Sequence, residues 1–346
     1  MLFYFPLVDL LRFIAAFGVM CFHYFSSSLE NYNDPFSLFA RYGSLGVQLF
    51  FIISGFVIFF SLNKSIKEYA ISRFLRLYPL FWVACTITYV ATLLFPEGNP
   101  ASFILYLKNL LIINDGKIIN MIDGSYWTLT IEILFYTYIG FFVWLFGKKK
   151  ILYFFIAWLL ATYLIFFFDI YHLFFTKLLL ARQSSYFIFG GLLAYFYENK
   201  NILNKIERWK IFILMFLASL LPFYINSKLQ NDKDNLTNFF GVFDKNEIII
   251  VSLIFIILLM AVYLSRYIKS EKTILFMKIL GGITYPLYLL HQELGHLMIG
   301  KTYGYISFIS ISVATFMIII SYFISVKEEK WRKNIHRKLS IFLKEK

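Results

Sequence analysis

Arg12 and His23 sit eleven residues apart in a segment, Leu7 to Ser26, that is otherwise almost wholly apolar. An imidazole can take and return a proton near neutral pH, and a guanidinium can hold an anion. Placing an Arg at the centre of a membrane helix costs at least ~2.5 kcal/mol, so ionisable groups in such a segment mark a candidate functional site. Eleven residues are about three helical turns, which puts both side chains on one face with a rise of ~16 Å between them. Other reactive groups recur in similar settings. FFIISGF at Phe50 to Phe56 places the Ser54 hydroxyl beside Gly55, YWTLTIEILFY carries Glu132, and GGITYPLYLLHQELGH carries His291 behind Pro286.

Each of these has a chemical and a structural reading. Ser54 with Gly55 supplies a donor to a reaction cavity with room for a ligand near the backbone, or a small-residue surface where helices pack. Arg73 and Arg76, in RFLRLYP, are three apart and share a helix face. Two guanidinium forks there suit phosphate oxygens, with Lys64 and Lys67 adding to the field, although basic residues beside a span also follow from membrane topology. Glu132 is about 9 Å inside its span at ~1.5 Å per residue. At that depth it can pair with His23 and raise its basicity, or serve as a protonated interhelix hydrogen bond. Arg12 can bridge to Asp9 on the same helix. Pro286 is expected to kink or open its helix, which implies a wet or ligand-lined cavity within reach of His291, while Glu293 and His296 lie nearer the edge.

The elements that position these groups must be membrane helices. Of the 346 residues 60% are hydrophobic and 43 are Phe, more than one soluble core can hide. The chain reads as an all-α polytopic membrane protein with about ten spans, near 7–26, 43–61, 77–96, 126–146, 151–168, 180–197, 211–226, 247–265, 279–299 and 305–325. The sixth is weakened by Lys177, Arg182 and the Gly190–Gly191 pair. Alternate connections, with the segment from 326, carry most of the 33 Lys and Arg residues, which predicts both termini in the cytoplasm. The net charge of +13 then reflects topology and affinity for anionic lipid and ligand, with no nucleic acid required. The N-terminal segment has no basic leader pattern and reads as a retained span.

A single integral-membrane domain over 1–346, with 326–346 as a basic cytoplasmic tail, is the expected organisation. The apolar stretch Phe103 to Ile113 is too short to span and is expected to be interfacial or re-entrant. Cys21 and Cys85 fall in spans, which argues against a structural disulfide. No metal is expected: His291 and His296 are five apart, poor spacing for two ligands on one helix face, and HExxH, CxxC, G-x-S-x-G and Walker patterns are absent from the sequence. Tyr32, Phe36 and Phe39, and Phe239, Phe240 and Phe243, could stack on sugar rings or anchor the membrane interface.

Five motifs in order, Arg12 to His23, FFxxSGF, Arg73 to Arg76, WTLxxE from Trp127 to Glu132, and TYPLYLLH from Thr284 to His291, resemble the acyltransferase-3 family. The resemblance implies a ten-helix core in a bacterial inner (plasma) membrane. It also implies acyl-coenzyme A, commonly acetyl-coenzyme A, as donor, and a hydroxyl of a surface or exported glycan or lipid-linked glycan as acceptor, as in O-antigen, capsule or exopolysaccharide. Ile133 follows Glu132 where the family often has a second acidic residue, leaving one carboxylate. A stand-alone form without an appended hydrolase-like domain is expected.

Residues and resemblance together give a working mechanism. Arg73 and Arg76 hold the coenzyme A phosphates and Arg12 lines the donor path. His23 is the general base, oriented by Glu132, and Ser54 stabilises the oxyanion. Trp127, Tyr285 and His291 line the substrate cavity. An acyl-His intermediate is the competing version, and a transporter or flippase for an anionic lipid-linked sugar is the alternative from a different class.

Overall fold

Apolar runs rich in Phe, Leu and Ile with few internal charges have one low-energy backbone in hydrocarbon, the helix, because it satisfies its own amide groups. The computed structural model describes residues 4–26, 39–95, 100–112, 121–230, 243–300 and 306–344, and among them every regular element is helical. Tyr32, Phe36, Phe239 and Phe240 lie outside the described residues. The elements are α1 (Pro6–Phe25), α2 (Gly46–Ser61), α3 (Ile66–Leu94), α4 (Phe103–Asn109), α5 (Trp127–Phe146), α6 (Ile151–Phe167), α7 (Phe174–Leu178), α8 (Ser184–Asn199), α9 (Lys205–Gln230), α10 (Lys245–Leu264), α11 (Glu271–Leu290), α12 (Glu293–Ile299) and α13 (Phe308–Lys344).

Nine helical stretches among the described residues are long and apolar enough to cross a membrane. The sixth expected span is α8, which at 16 residues is shorter than the ~17 a crossing needs. Its start is delayed by turns in which Leu180 has φ 51°, and it is buried from Ser184 through Ala194. Two boundaries move for physical reasons. α3 begins at Ile66, eleven residues before the expected start of the span at 77, so Arg73 and Arg76 stand well inside it, and the 29-residue helix runs through Pro79. The ninth span runs unbroken through Pro286 to Leu290 and is interrupted only at His291 and Gln292, before the short α12.

The chain falls into two compact units, each assembled from separate stretches of sequence. One comprises Val47–Ala70 and Ile131–Tyr263 with the first four residues, and the other Phe5–Gly46, Ile71–Thr130 and Leu264–Lys346. In the first, α8 is the central helix, packed against α6 and α9. Glycines let α2 and α8 touch backbone to backbone: a Cβ on Gly55 would overlap the Phe187 carbonyl, and one on Gly190 would overlap that of Ile52. Phe187 stacks on Phe135 with centroids 4.0 Å apart, and Thr162 and Ser184 hydroxyls meet at 3.0 Å. At one end Lys148 ties Glu198 at 2.6 Å and Asn63 at 2.8 Å.

In the second unit α1 packs along α11, and α11 along α13. The α1–α11 approach is close enough that a Cβ on Gly281 would lie 2.6 Å from the Asp9 carboxyl carbon. The short α4 is capped by Ser102 and held on α3 by Trp82, whose indole N–H donates to Leu110 O at 2.9 Å, and by Tyr89 stacked on Tyr106 at 4.6 Å. The backbone contact of α2 with α8 gives a direct test. Gly190→Ala is expected to lower thermal stability in detergent by about 1–3 kcal/mol, as overpacking does. Gly282→Ala is the control, since its added methyl would meet nothing nearer than Ser325 at 3.8 Å; it should be neutral or slightly stabilising.

Candidate active site

α1 is one unbroken helix from Pro6 to Phe25, so Arg12 and His23 occupy the same rod and, eleven residues apart, the same face. At its far end the His23 ring lies 5.2 Å from the ring of His291, centroid to centroid, with the planes tilted by 52°. His23 is half-buried and His291 fully buried. Nδ1 of His291 is 2.8 Å from Tyr288 O. A carbonyl can only accept, so that contact assigns the proton to Nδ1 and leaves Nε2 as a lone-pair acceptor. Nε2 has no hydrogen-bond partner among the described residues.

The end of α11 is held by side chains in place of the next helical turn. Helix termini leave carbonyls without intrahelical donors. Here Tyr24 donates to His291 O at 2.7 Å, Tyr126 to Leu289 O at 3.4 Å, and Ser125 Oγ to Tyr288 O at 3.3 Å. Thr128 adds a hydrogen bond to the Tyr288 hydroxyl at 2.9 Å. Ser125 is in turn fixed by Asp123, whose Oδ1 accepts from the Ser125 amide at 2.8 Å and hydroxyl at 2.6 Å, while Oδ2 accepts from the Glu293 amide at 2.9 Å. Asp123 is fully buried, and burial pushes its carboxyl up to about 6 against the opposing pull of those donors. Two glycines make room, since a Cβ on Gly124 would overlap the Gln292 amide and one on Gly295 the Tyr24 hydroxyl.

The other end of α1 carries charge. Arg12 Nη1 is 3.5 Å from Asp9 Oδ1, so the local bridge that the spacing allows is formed. Arg12 and Arg76 both lie within electrostatic reach of Glu328 on α13, which also pairs with Arg332 at 3.7 Å, and Lys278 on α11 pairs with Glu329 at 3.4 Å. Arg73 is half-buried on α3, one turn from Arg76. Of the residues expected in the substrate cavity, Tyr285 donates to Leu77 O at 2.9 Å and so ties α11 to α3, while Trp127 is half-buried where α5 begins. His296 is exposed.

Ser54 and Glu132 belong to the α8-centred unit and are brought together there. Ser54 Oγ donates to Glu132 Oε1 at 2.9 Å, and the Tyr136 hydroxyl, one turn along α5, donates to the same oxygen. Tyr69 donates to Tyr136 O at 2.9 Å, adding α3 to the cluster. His23 is in the other unit, with His291 against it. Cys21 and Cys85 are free and buried, and no group of three or more His, Cys, Asp or Glu suited to a metal ion occurs among the described residues.

Sequence reasoning missed Asp123, Tyr136, Glu328 and Arg332. Tyr136 follows Glu132 at the i,i+4 spacing, as Arg332 follows Glu328, and that spacing is the signal that could have found them. Asp123 stands two residues before Ser125, the pattern of an Asx turn.

The family model of acyltransferase 3, described as an acyltransferase domain, matches residues 5–327. The chain belongs to the acyltransferase-3 family. Nine helices among the described residues are long and apolar enough to cross a membrane, which fits an integral membrane member of that family. It is similar to the "Putative acetyltransferase ORF330" of Acidianus two-tailed virus, 28% identical over 140 residues, which is 39% of this chain and 40% of that protein. The chain thus matches less than half the length of that relative. No solved structure matches significantly.

The Asp123 network predicts a stability effect at the α11 break. Asp123→Ala leaves three donors without this acceptor, the Ser125 and Glu293 amides and the Ser125 hydroxyl, and should destabilise the protein by at least about 2 kcal/mol. Asp123→Asn keeps one carbonyl oxygen and should lose less. Thermal unfolding in detergent compares them, and equal stability of all three proteins would show that the network does not hold the break.

Proposed function

We propose that this membrane acyltransferase moves an acyl group, in the first instance acetyl, from cytoplasmic acyl-coenzyme A to a hydroxyl of a surface or exported glycan, in a bacterial inner membrane. The observation that carries the reading is the division of labour along α1: guanidinium groups about one carboxylate at its Arg12 end, and a pair of imidazoles at its His23 end. Multiply charged phosphates suit the first and proton transfer suits the second.

On this reading Arg73, Arg76 and Arg12 hold the donor's phosphates and line its path. His23 removes the proton of the acceptor hydroxyl as oxygen attacks the thioester carbonyl, and returns it to the departing coenzyme A thiolate. The hydrogen bond from Ser54 to Glu132 engages the Ser54 proton, and the roles expected of the two, oxyanion donor and orienting carboxylate, form no step of this reading. The glycan acceptor follows from the family resemblance, and aromatic side chains on exposed segments, such as Phe39, are suited to stacking on sugar rings.

The test is acceptor-dependent release of free coenzyme A from acetyl-coenzyme A by purified protein, with surface glycans of producing cells weighed by mass spectrometry. His23→Ala should lower release by about 10²-fold or more, the contribution of a positioned general base. Arg76→Ala should mainly raise the KM for acetyl-coenzyme A, by about tenfold for one lost charge-assisted contact. An acetyl increment on the glycan that persists unchanged with His23→Ala removes His23 from the base role.

A further inference from the structure

We propose that His291 is the positioning residue for His23: its Nε2 lone pair receives the second N–H of the His23 ring, which fixes the tautomer that leaves the other His23 nitrogen free as base. The inference rests on the acyltransfer reading above and adds a residue to its mechanism. A base imidazole needs one nitrogen unprotonated toward the acceptor, and the partner of the other nitrogen decides which one that is. In most such pairs a carboxylate does this. Here the side chain packed against His23 is a second imidazole whose own proton is committed to Tyr288 O at 2.8 Å.

Three observations point the same way. Nε2 of His291 is buried and without a hydrogen-bond partner among the described residues, an expensive state for an acceptor. The His23 centroid is 5.2 Å away, a separation at which nitrogens of two imidazoles that point at one another come within hydrogen-bond reach. Finally, His291 cannot readily turn away. Its backbone carbonyl is bound by Tyr24, its ring by Tyr288 O, and the residues on either side by Ser125, Tyr126 and Asp123. A buried ring fixed at both ends, with one lone pair left over, is a preorganised acceptor.

The proton balance is simple. The acceptor O–H bond breaks and its proton goes to the free nitrogen of His23 while the new C–O bond forms. The tetrahedral intermediate collapses with cleavage of the C–S bond, and His23 passes the same proton to the thiolate of coenzyme A. His291 neither gains nor loses a proton; it accepts one hydrogen bond throughout, and that bond strengthens when His23 is cationic.

His291→Leu removes the lone pair and His291→Gln restores an acceptor oxygen near the place of Nε2. Full-length protein in detergent should show kcat for coenzyme A release about 100-fold lower for His291→Leu and within about tenfold of wild type for His291→Gln, with the KM for acetyl-coenzyme A unchanged within about twofold in both. Nitrogen-15 spectra of histidine-labelled protein should show one His23 tautomer in wild type and in His291→Gln. Where His291→Leu does not fold, His291→Gln decides: retained kcat with a single His23 tautomer supports the role, and activity as low as that of His23→Ala overturns it. Wild-type kcat in His291→Leu, or loss in both variants in proportion to unfolded protein, also overturns it. Loss of activity with His23→Ala but not with His291→Leu leaves the base reading standing and this one fallen, whereas full activity of His23→Ala defeats both.

Discussion

The arrangement depends most on how a helix is made to stop inside a membrane domain. Carbonyls at a helix end need donors, and in a low-dielectric surrounding an unsatisfied one costs several kcal/mol. At the end of α11 the donors are Tyr24 from α1 and Ser125 and Tyr126 from the turn before α5, and they reach three carbonyls within four residues. Once these are in place the backbone can depart from helical continuation at Gln292 and resume at Glu293, whose amide is taken by Asp123. The break is thus specified by side chains outside α11, and the same bonds fix where His291 points.

The α8-centred unit solves a different problem with different residues. There α2 and α8 meet at backbone distance through Gly55 and Gly190, because membrane helices gain little from burying apolar area against one another and more from close packing. Close packing leaves little room for polar groups, and several of those present pair with one another: Ser54 and Tyr136 on Glu132, Thr162 on Ser184, Lys148 on Glu198. Glu132 follows the rule that a carboxyl at membrane depth must have donors. Two hydroxyls, those of Ser54 and Tyr136, supply them.

The helices were legible in the sequence because hydrophobic runs of spanning length have no alternative backbone in lipid, and α1 appeared close to its observed limits on that ground alone. Boundaries set by tertiary partners were not legible. Pro286 drew attention as the expected kink or opening, yet the helix passes it and stops four residues later at Leu290, where Tyr24, Ser125 and Tyr126 supply what Pro286 alone does not. α8 was uncertain for the converse reason: Lys177 and Arg182 at its flank and the Gly190–Gly191 pair weaken a hydropathy signal, whereas small residues suit a helix buried among others. Single residues in motifs stood out because charge in an apolar run is conspicuous. Asp123 did not, lying just outside a run, and its importance comes from contacts to Glu293 that are 170 residues distant in sequence.

The segment after residue 326 shows how one rule for basic residues can draw attention away from an acidic neighbour. Basic residues beside a last span satisfy the bias that orients membrane proteins, and nothing further was asked of them. In the structure the segment is helix, and Glu328 faces Arg332 on its own helix with Arg76 and Arg12 within electrostatic reach. Several guanidinium groups near one point repel one another, and a carboxylate among them lets the cluster exist before any ligand arrives. Its single charge also sets the terms of binding: an anion displaces or joins Glu328 only if its attraction to the guanidinium groups exceeds that of one carboxylate. On the reading proposed above, a multiply charged phosphate gains more from those guanidinium groups than a singly charged anion does.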